Sequence, residues 1–291
     1  MDGTVTNMKY AVIDIGSNSV RLMLWANGTL YKRVITTRLA QGLAASGMIC
    51  DEASVRTVAA IAELAAEGRR EGAQVLAFAT AAVRSAKNGS DFCARVKAAC
   101  GVDVDVIAGE EEARLGMYGA LGKRDGGIVD IGGASTEVCI RTHGKIAFAT
   151  SLNIGVVRLS DRCGQDPDKL RAVVREEIAP LAGVTCADTM YTIGGTASTL
   201  ASVKLGLAEY DAAKLNGLSL SSEYLDEVAA RLLSLSVEER KAVPGMDVRR
   251  ADVIAGGAVL LSAIVHALGL NEVRFSDGDN LEGYLVARGL A

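Results

Sequence analysis

VIDIGSNSV (residues 12–20) and IVDIGGAST (residues 128–136) decide the fold. Each is an apolar, β-branched run that reaches Asp-Ile-Gly, turns through small residues and resumes as a strand. That order predicts a buried strand, a tight turn and a returning neighbour. The two copies are centred on Asp14 and Asp130. Such a separation suits a duplicated domain rather than a short solenoid repeat.

Outward from the first copy, 8–15, 19–26 and 29–36 read as strands, with Asn27-Gly28 as a hairpin turn. Asp51 caps a long Ala-rich helix reaching about Glu71 and stopped by Gly72. A strand (74–80), a helix (90–99), a strand (102–108) and a helix (110–121, ending at Gly122) follow. The pattern then restarts with strands at 126–131, 137–142 and 145–151, a helix at 167–182, a strand at 189–193 and a helix after Gly194-Gly195. Helices at 222–234 and 252–268, a strand at 271–275 and a final helix at 279–289 close the chain. Alternating strands and helices make each half α/β, with a mixed sheet flanked by helices. A Gly- and charge-rich joint at Lys123–Gly126 places the boundary between an N-terminal domain (1–124) and a C-terminal domain (125–291), whose final helix is free to pack back on the first. Met1–Asn7 reads as a short frayed tail.

At 291 residues, two cores are the natural expectation. Hydrophobic residues make up 49% and charged residues 23%, a globular profile; aromatics are only 4%, so Ala, Val, Leu and Ile must build the interior. A net charge of −4 argues against a general nucleic-acid binder. A polyanionic ligand would be met by a few placed cations and backbone N–H groups. Six scattered cysteines without a C-x-x-C pair, and only His143 and His266, give no zinc or redox spacing. No membrane-length apolar run or signal-peptide pattern is present, so the expectation is a cytoplasmic protein with no membrane partner.

Chemistry concentrates in the turns. In the first, Gly16 lets the backbone approach an anion, Ser17, Asn18 and Ser19 add short donors, and Asp14 is placed to hold a cation. Alone, this also reads as an ordinary hairpin. The second, Asp130-Ile-Gly132-Gly133-Ala134-Ser135-Thr136-Glu137, repeats the design and adds a carboxylate suited to magnesium. The two loops are expected to face one another across an interdomain cleft. Gly194-Gly195-Thr196 opens a helix and offers another anion-binding N-terminus.

This trio resembles the actin-like ATPase superfamily. Gly109-Glu-Glu-Glu112-Ala-Arg-Leu115 narrows the resemblance to its exopolyphosphatase/guanosine-pentaphosphate phosphatase (Ppx/GppA) family, in a short two-domain form. Ala79-Thr-Ala-Ala-Val-Arg84, Arg250-Ala-Asp-Val-Ile254 and Phe275–Gly283 are similar to further family segments. Read alone, acids in a first helical turn complement the dipole, and Arg84 is a surface residue. The resemblance instead implies that Glu112 is the base activating water and that Arg84 meets substrate phosphate. It also implies that Ser17, Asn18, Ser19, Gly132, Gly133, Ala134 and Ser135 bind phosphate, with Asp14, Asp130 and Glu137 holding Mg2+, or Mn2+ as the alternative. Ala134 stands where the family has a third glycine, which bears on substrate fit. The chain ends without the family's long helical extension, which implies a grip on fewer phosphates.

The expected function is an exopolyphosphatase releasing orthophosphate from inorganic polyphosphate, short chains included, by direct hydrolysis. Guanosine pentaphosphate is the alternative substrate. A kinase of the same superfamily and a non-catalytic phosphate-ligand sensor are the readings from other classes. A homodimer is implied by resemblance only.

Overall fold

A computed structural model describes residues 8–291; the expected tail at Met1–Asn7 lies outside the described residues. The chain divides into two compact units, one running up to Ala108 and including Tyr284–Ala291, the other Gly109–Gly283.

The first unit is built on β1 (Tyr10–Ile15), β2 (Ser19–Trp25), β3 (Thr29–Thr36), β4 (Gln74–Ala79) and β5 (Val104–Val106), in the order β3-β2-β1-β4-β5. β1 pairs antiparallel with β2 and parallel with β4. Every residue of β1 is buried, which is why its run, Asp14 apart, is apolar rather than alternating. Helices Asp51–Arg70 and Gly89–Cys100 accompany this sheet. Asp51 was expected to cap the first of these; Cys50 holds the cap position and Asp51 lies inside the first turn, where its charge complements the dipole.

The second unit contains β6 (Gly126–Ile131), β7 (Thr136–Thr142), β8 (Lys145–Leu152), β9 (Met190–Ile193), β10 (Ser219–Ser221) and β11 (Glu272–Phe275), in the order β10-β11-β9-β6-β7-β8. Reversed, β8-β7-β6-β9-β11 repeats the first sheet strand for strand, with β10 added antiparallel at one edge. The duplicated architecture expected from the two Asp-Ile-Gly turns is the one observed: two mixed sheets flanked by helices.

Helix Gly109–Leu121 belongs to the second unit. Its Ala113, Met117 and Leu121, spaced by one turn, form a core cluster with Ile128, Cys139 and Ile193 from the second sheet. The division therefore falls at Ala108/Gly109, ahead of the joint expected at 123–126. That joint is a turn held by the buried Arg141, whose guanidinium donates to the carbonyls of Gly122 and Arg124. The long helix expected over 167–182 is Pro167–Glu177 followed by a short 3-10 turn at Ala179–Leu181, where Pro180 removes a backbone donor. Among the described residues no helix is long and apolar enough to cross a membrane.

Candidate functional site

In both sheets the chemistry-bearing residues lie at the carboxyl ends of the parallel strands, where open α/β sheets bind ligands. In the first unit, β1 ends just after Asp14. Gly16 N–H then donates to Ser19 O at 3.1 Å, closing the turn, and a Cβ on Gly16 would come 2.9 Å from that oxygen. The second unit repeats the device: Gly132 N–H donates to Ser135 O at 3.0 Å. The Gly132 N–H, expected to bind phosphate, is thus committed within the turn.

The carbonyls of both loops are also occupied. Ser17 O accepts from Ala40 N, and Asn18 O from Thr37 N and Arg38 N. Gly132 O accepts from Val156 N, and Gly133 O from Val157 N and Arg158 N. A trans peptide points its N–H opposite its C=O. The N–H groups of Asn18, Ser19, Gly133 and Ala134 are therefore aimed away from these partner segments. Arg158 Nε adds a bond to Ala134 O at 2.9 Å. Arg158 and its helix Val156–Cys163 were not foreseen in the sequence; the run Gly155-Val-Val-Arg158, directly after a strand, is the signal that was there to read. Ala134 is buried, and it is not among the residues with positive φ, so the methyl group brings no backbone strain.

The two halves part ways in their acids. Asp14 pairs across β1–β2 with Arg21, whose Nε donates to Asp14 Oδ2 at 3.0 Å. At the matching ladder position Asp130 faces Glu137. Glu137 is 1% exposed, and its Oε1 accepts from Ser151 Oγ at 2.6 Å. Burial first, then the charges of Glu112 and Asp130, push the Glu137 carboxyl well above the usual range. Glu112, itself 7% exposed in the first turn of Gly109–Leu121, is thereby placed in electrostatic reach of Glu137. Asp130 Oδ2 accepts from Asn280 Nδ2 at 3.2 Å.

Arg84 sits at the end of the short helix Ala81–Ser85 that follows β4, and its Nη1 donates to Ile107 O at 2.8 Å. It is half-buried rather than on the surface. Asp14, Ser17, Asn18, Ser19 and Arg84 thus share one edge of the first sheet. Glu112, Asp130, Gly132, Gly133, Ala134, Ser135 and Glu137 gather in the second unit.

Among the described residues no three His, Cys, Asp or Glu side chains converge closely enough to form a ready-made metal cage. Magnesium does not require one: it commonly takes one or two carboxylates and completes its shell with water and substrate oxygens. Glu137 Oε2, fully buried without a hydrogen-bond partner, fits that use, because a carboxylate oxygen without a donor is suited to a hard cation. On the first loop the buried Asn18 Nδ2 is a donor without an acceptor, a fit for an anion.

Over 96% of its length the chain is 32% identical to Exopolyphosphatase 2 of Mycobacterium tuberculosis, spanning 98% of that protein. The crystal structure of an exopolyphosphatase-like protein superposes with a TM-score of 0.88 at 29% identity, covering 97% of this chain and 99% of the other. A Ppx/GppA protein of Aquifex aeolicus gives a TM-score of 0.79 at 29% identity, covering 97% and 98%. Residues 12–289 match the description of one family, which takes in both glycine loops and the Glu112 helix, and the chain belongs to that family, the Ppx/GppA phosphatases.

Proposed function

We propose that this protein is an exopolyphosphatase, hydrolysing the terminal phosphoanhydride bond of inorganic polyphosphate and releasing orthophosphate. The observation that carries the reading is a buried atom without a hydrogen-bond partner in each glycine-loop region, the Asn18 Nδ2 donor in the first unit and Glu137 Oε2 in the second. Each costs about 1–3 kcal/mol if left unsatisfied. Within its own unit each asks for a ligand, an anion at Asn18 and a cation at Glu137, the two kinds of group that metal-dependent phosphate chemistry uses.

Asp130 and Glu137 would hold magnesium, or manganese, with help from Asp14, whose Oδ2 is bonded by Arg21. When bound, the metal neutralises charge on the transferred phosphoryl group. The N–H groups of Asn18, Ser19, Gly133 and Ala134 bind phosphate oxygens, and Ser17 and Ser135 add hydroxyls to the loops. Arg84 serves the chain's oxygens with a planar fork that suits phosphate better than an ammonium does. Glu112 orients the attacking water and takes its proton as the new P–O bond forms and the bridging P–O bond breaks, leaving its electron pair on the shortened chain.

The test is phosphate release by the purified protein with magnesium, from short polyphosphate, long polyphosphate and guanosine pentaphosphate, for wild type and Glu112→Gln. The expected result is release from polyphosphate that falls at least ~100-fold in the folded variant. Release from guanosine pentaphosphate alone would reassign the substrate. Binding without turnover on any of the three would make the protein a sensor, and ATP-dependent phosphorylation of a small molecule would make it a kinase.

A further inference from the structure

Asn280 is 3% exposed and is the first residue of the helix Asn280–Ala287, directly after the loop that leaves β11. Its backbone is fixed by a reciprocal pair of bonds, Leu281 N–H to Asp279 Oδ1 at 2.9 Å and Asp279 N–H to Glu282 Oε2 at 3.1 Å. This is the logic of a capping box. From there the side chain reaches Asp130: Nδ2 donates to Oδ2 at 3.2 Å. Its other end, Oδ1, is buried without a hydrogen-bond partner and lies against Gly116, where a Cβ would come 3.0 Å from it.

That orientation is informative. Turning the amide over would place Oδ1 against a carboxylate, so the charge on Asp130 dictates which end faces it. The outcome satisfies Asp130 and leaves the amide's own oxygen unsatisfied, a cost of about 1–3 kcal/mol. An apolar residue of the same size would avoid this cost. A buried polar group kept in a half-satisfied state asks for a role other than stability. The other oxygen of the Asp130 carboxylate lies close to Gly194, where a Cβ would come 2.6 Å from Oδ1. Asn280 thus meets one oxygen of the carboxylate and Gly194 makes room for the other.

We infer that Asn280 is a positioning residue for the metal site: by holding Asp130 Oδ2 it fixes the plane in which Asp130 meets the divalent cation. The inference rests on the reading of Asp130 as a metal ligand. Partners that hydrogen-bond to metal ligands typically account for 10–100-fold in metal affinity. Mn2+ binding to the metal-free protein, followed by electron paramagnetic resonance and checked by calorimetry, provides a readout independent of turnover. Asn280→Leu should bind Mn2+ about 10-fold or more weakly while melting at or above the wild-type temperature, a split that a merely structural residue would not give. Asn280→Ala serves the same comparison if the leucine variant does not fold. Asp130→Asn is the reference. If it loses Mn2+ binding while both Asn280 variants keep wild-type affinity, the Asn280 assignment is overturned and the metal site stands. If Asp130→Asn also binds Mn2+ as the wild type does, the metal site itself falls, and the Asn280 assignment with it.

Discussion

Directly across the antiparallel ladder from each strand-ending aspartate, the two halves carry opposite charges: Arg21 against Asp14, Glu137 against Asp130. One duplicated backbone thus has two electrostatic characters, a neutralised loop with an unsatisfied donor and an acidic loop with an unsatisfied acceptor. Glu137 bears the cost of the second. Its carboxyl is raised by burial and by Glu112 and Asp130, so the folded protein keeps this proton to a higher pH than the unfolded chain does. Where the native state binds more protons, stability falls as pH rises. The penalty is therefore absent at and below the ordinary glutamate range and grows as pH rises through the raised value. Glu137→Gln should stabilise the metal-free protein by about 0.5–2 kcal/mol at neutral pH, the usual gain from relieving a strained functional site. The gain should shrink as pH is lowered towards about 4.5. Urea melts in the presence of a chelator measure it, and no gain at any pH would show that the acids do not oppose one another. The acids and glycines of both loops were legible in the sequence because a strand ending in Asp-Ile-Gly is a local pattern. Arg21 was not, since its meaning depends on register: only counting pairs across the hairpin puts it opposite Asp14.

The helix Gly109–Leu121 shows what local pattern leaves out at the next scale. Ala113, Met117 and Leu121 form one stripe, packed on the second sheet, and this stripe rather than the charged joint behind it decides which unit owns the helix. Glu112, Gly116 and Gly119 form a neighbouring stripe. Glycine inside a helix costs about 0.5–1 kcal/mol relative to alanine, so two on one face need a reason. The reason is close approach: a Cβ on Gly119 would come 1.8 Å from Asp279 O, and Gly116 makes room for Asn280. By helix propensity alone Gly119→Ala should stabilise. The contact with a backbone oxygen makes the opposite the expected outcome, a loss of about 1–3 kcal/mol from overpacking, read from denaturant melts. A stabilised Gly119→Ala would mean that the Asp279 loop is free to move away. The sequence announced the Glu-rich first turn through its resemblance. It was silent on Gly116 and Gly119, because a small residue acquires its purpose from a neighbour 160 positions away.

At the scale of the whole chain, two cores were legible from length and from the repeated turn, but the limits of the first core depend on contacts that join distant segments. Tyr284 is 3% exposed and stacks on Phe78 with ring centroids 4.7 Å apart and planes at 18°. Its hydroxyl donates to Asp105 Oδ2 at 3.1 Å, and the Arg288 guanidinium covers its other face at 3.5 Å while bonding the same aspartate. The last eight residues thus complete a core laid down by β4 and β5. Truncating a buried aromatic costs about 3–5 kcal/mol, and here the loss falls entirely within the first unit. The chain has one tryptophan, Trp25, which lies on β2 of that unit beside Tyr10, so its fluorescence reports on this core alone. Tyr284→Ala should move the Trp25 transition to lower denaturant by an amount equivalent to about 3 kcal/mol or more. A shift below about 1 kcal/mol would show that the C-terminal segment rests on the first core without supporting it. A full shift would make Phe78 and Tyr284 one packing unit, closed only when the end of the chain reaches a strand made near its beginning.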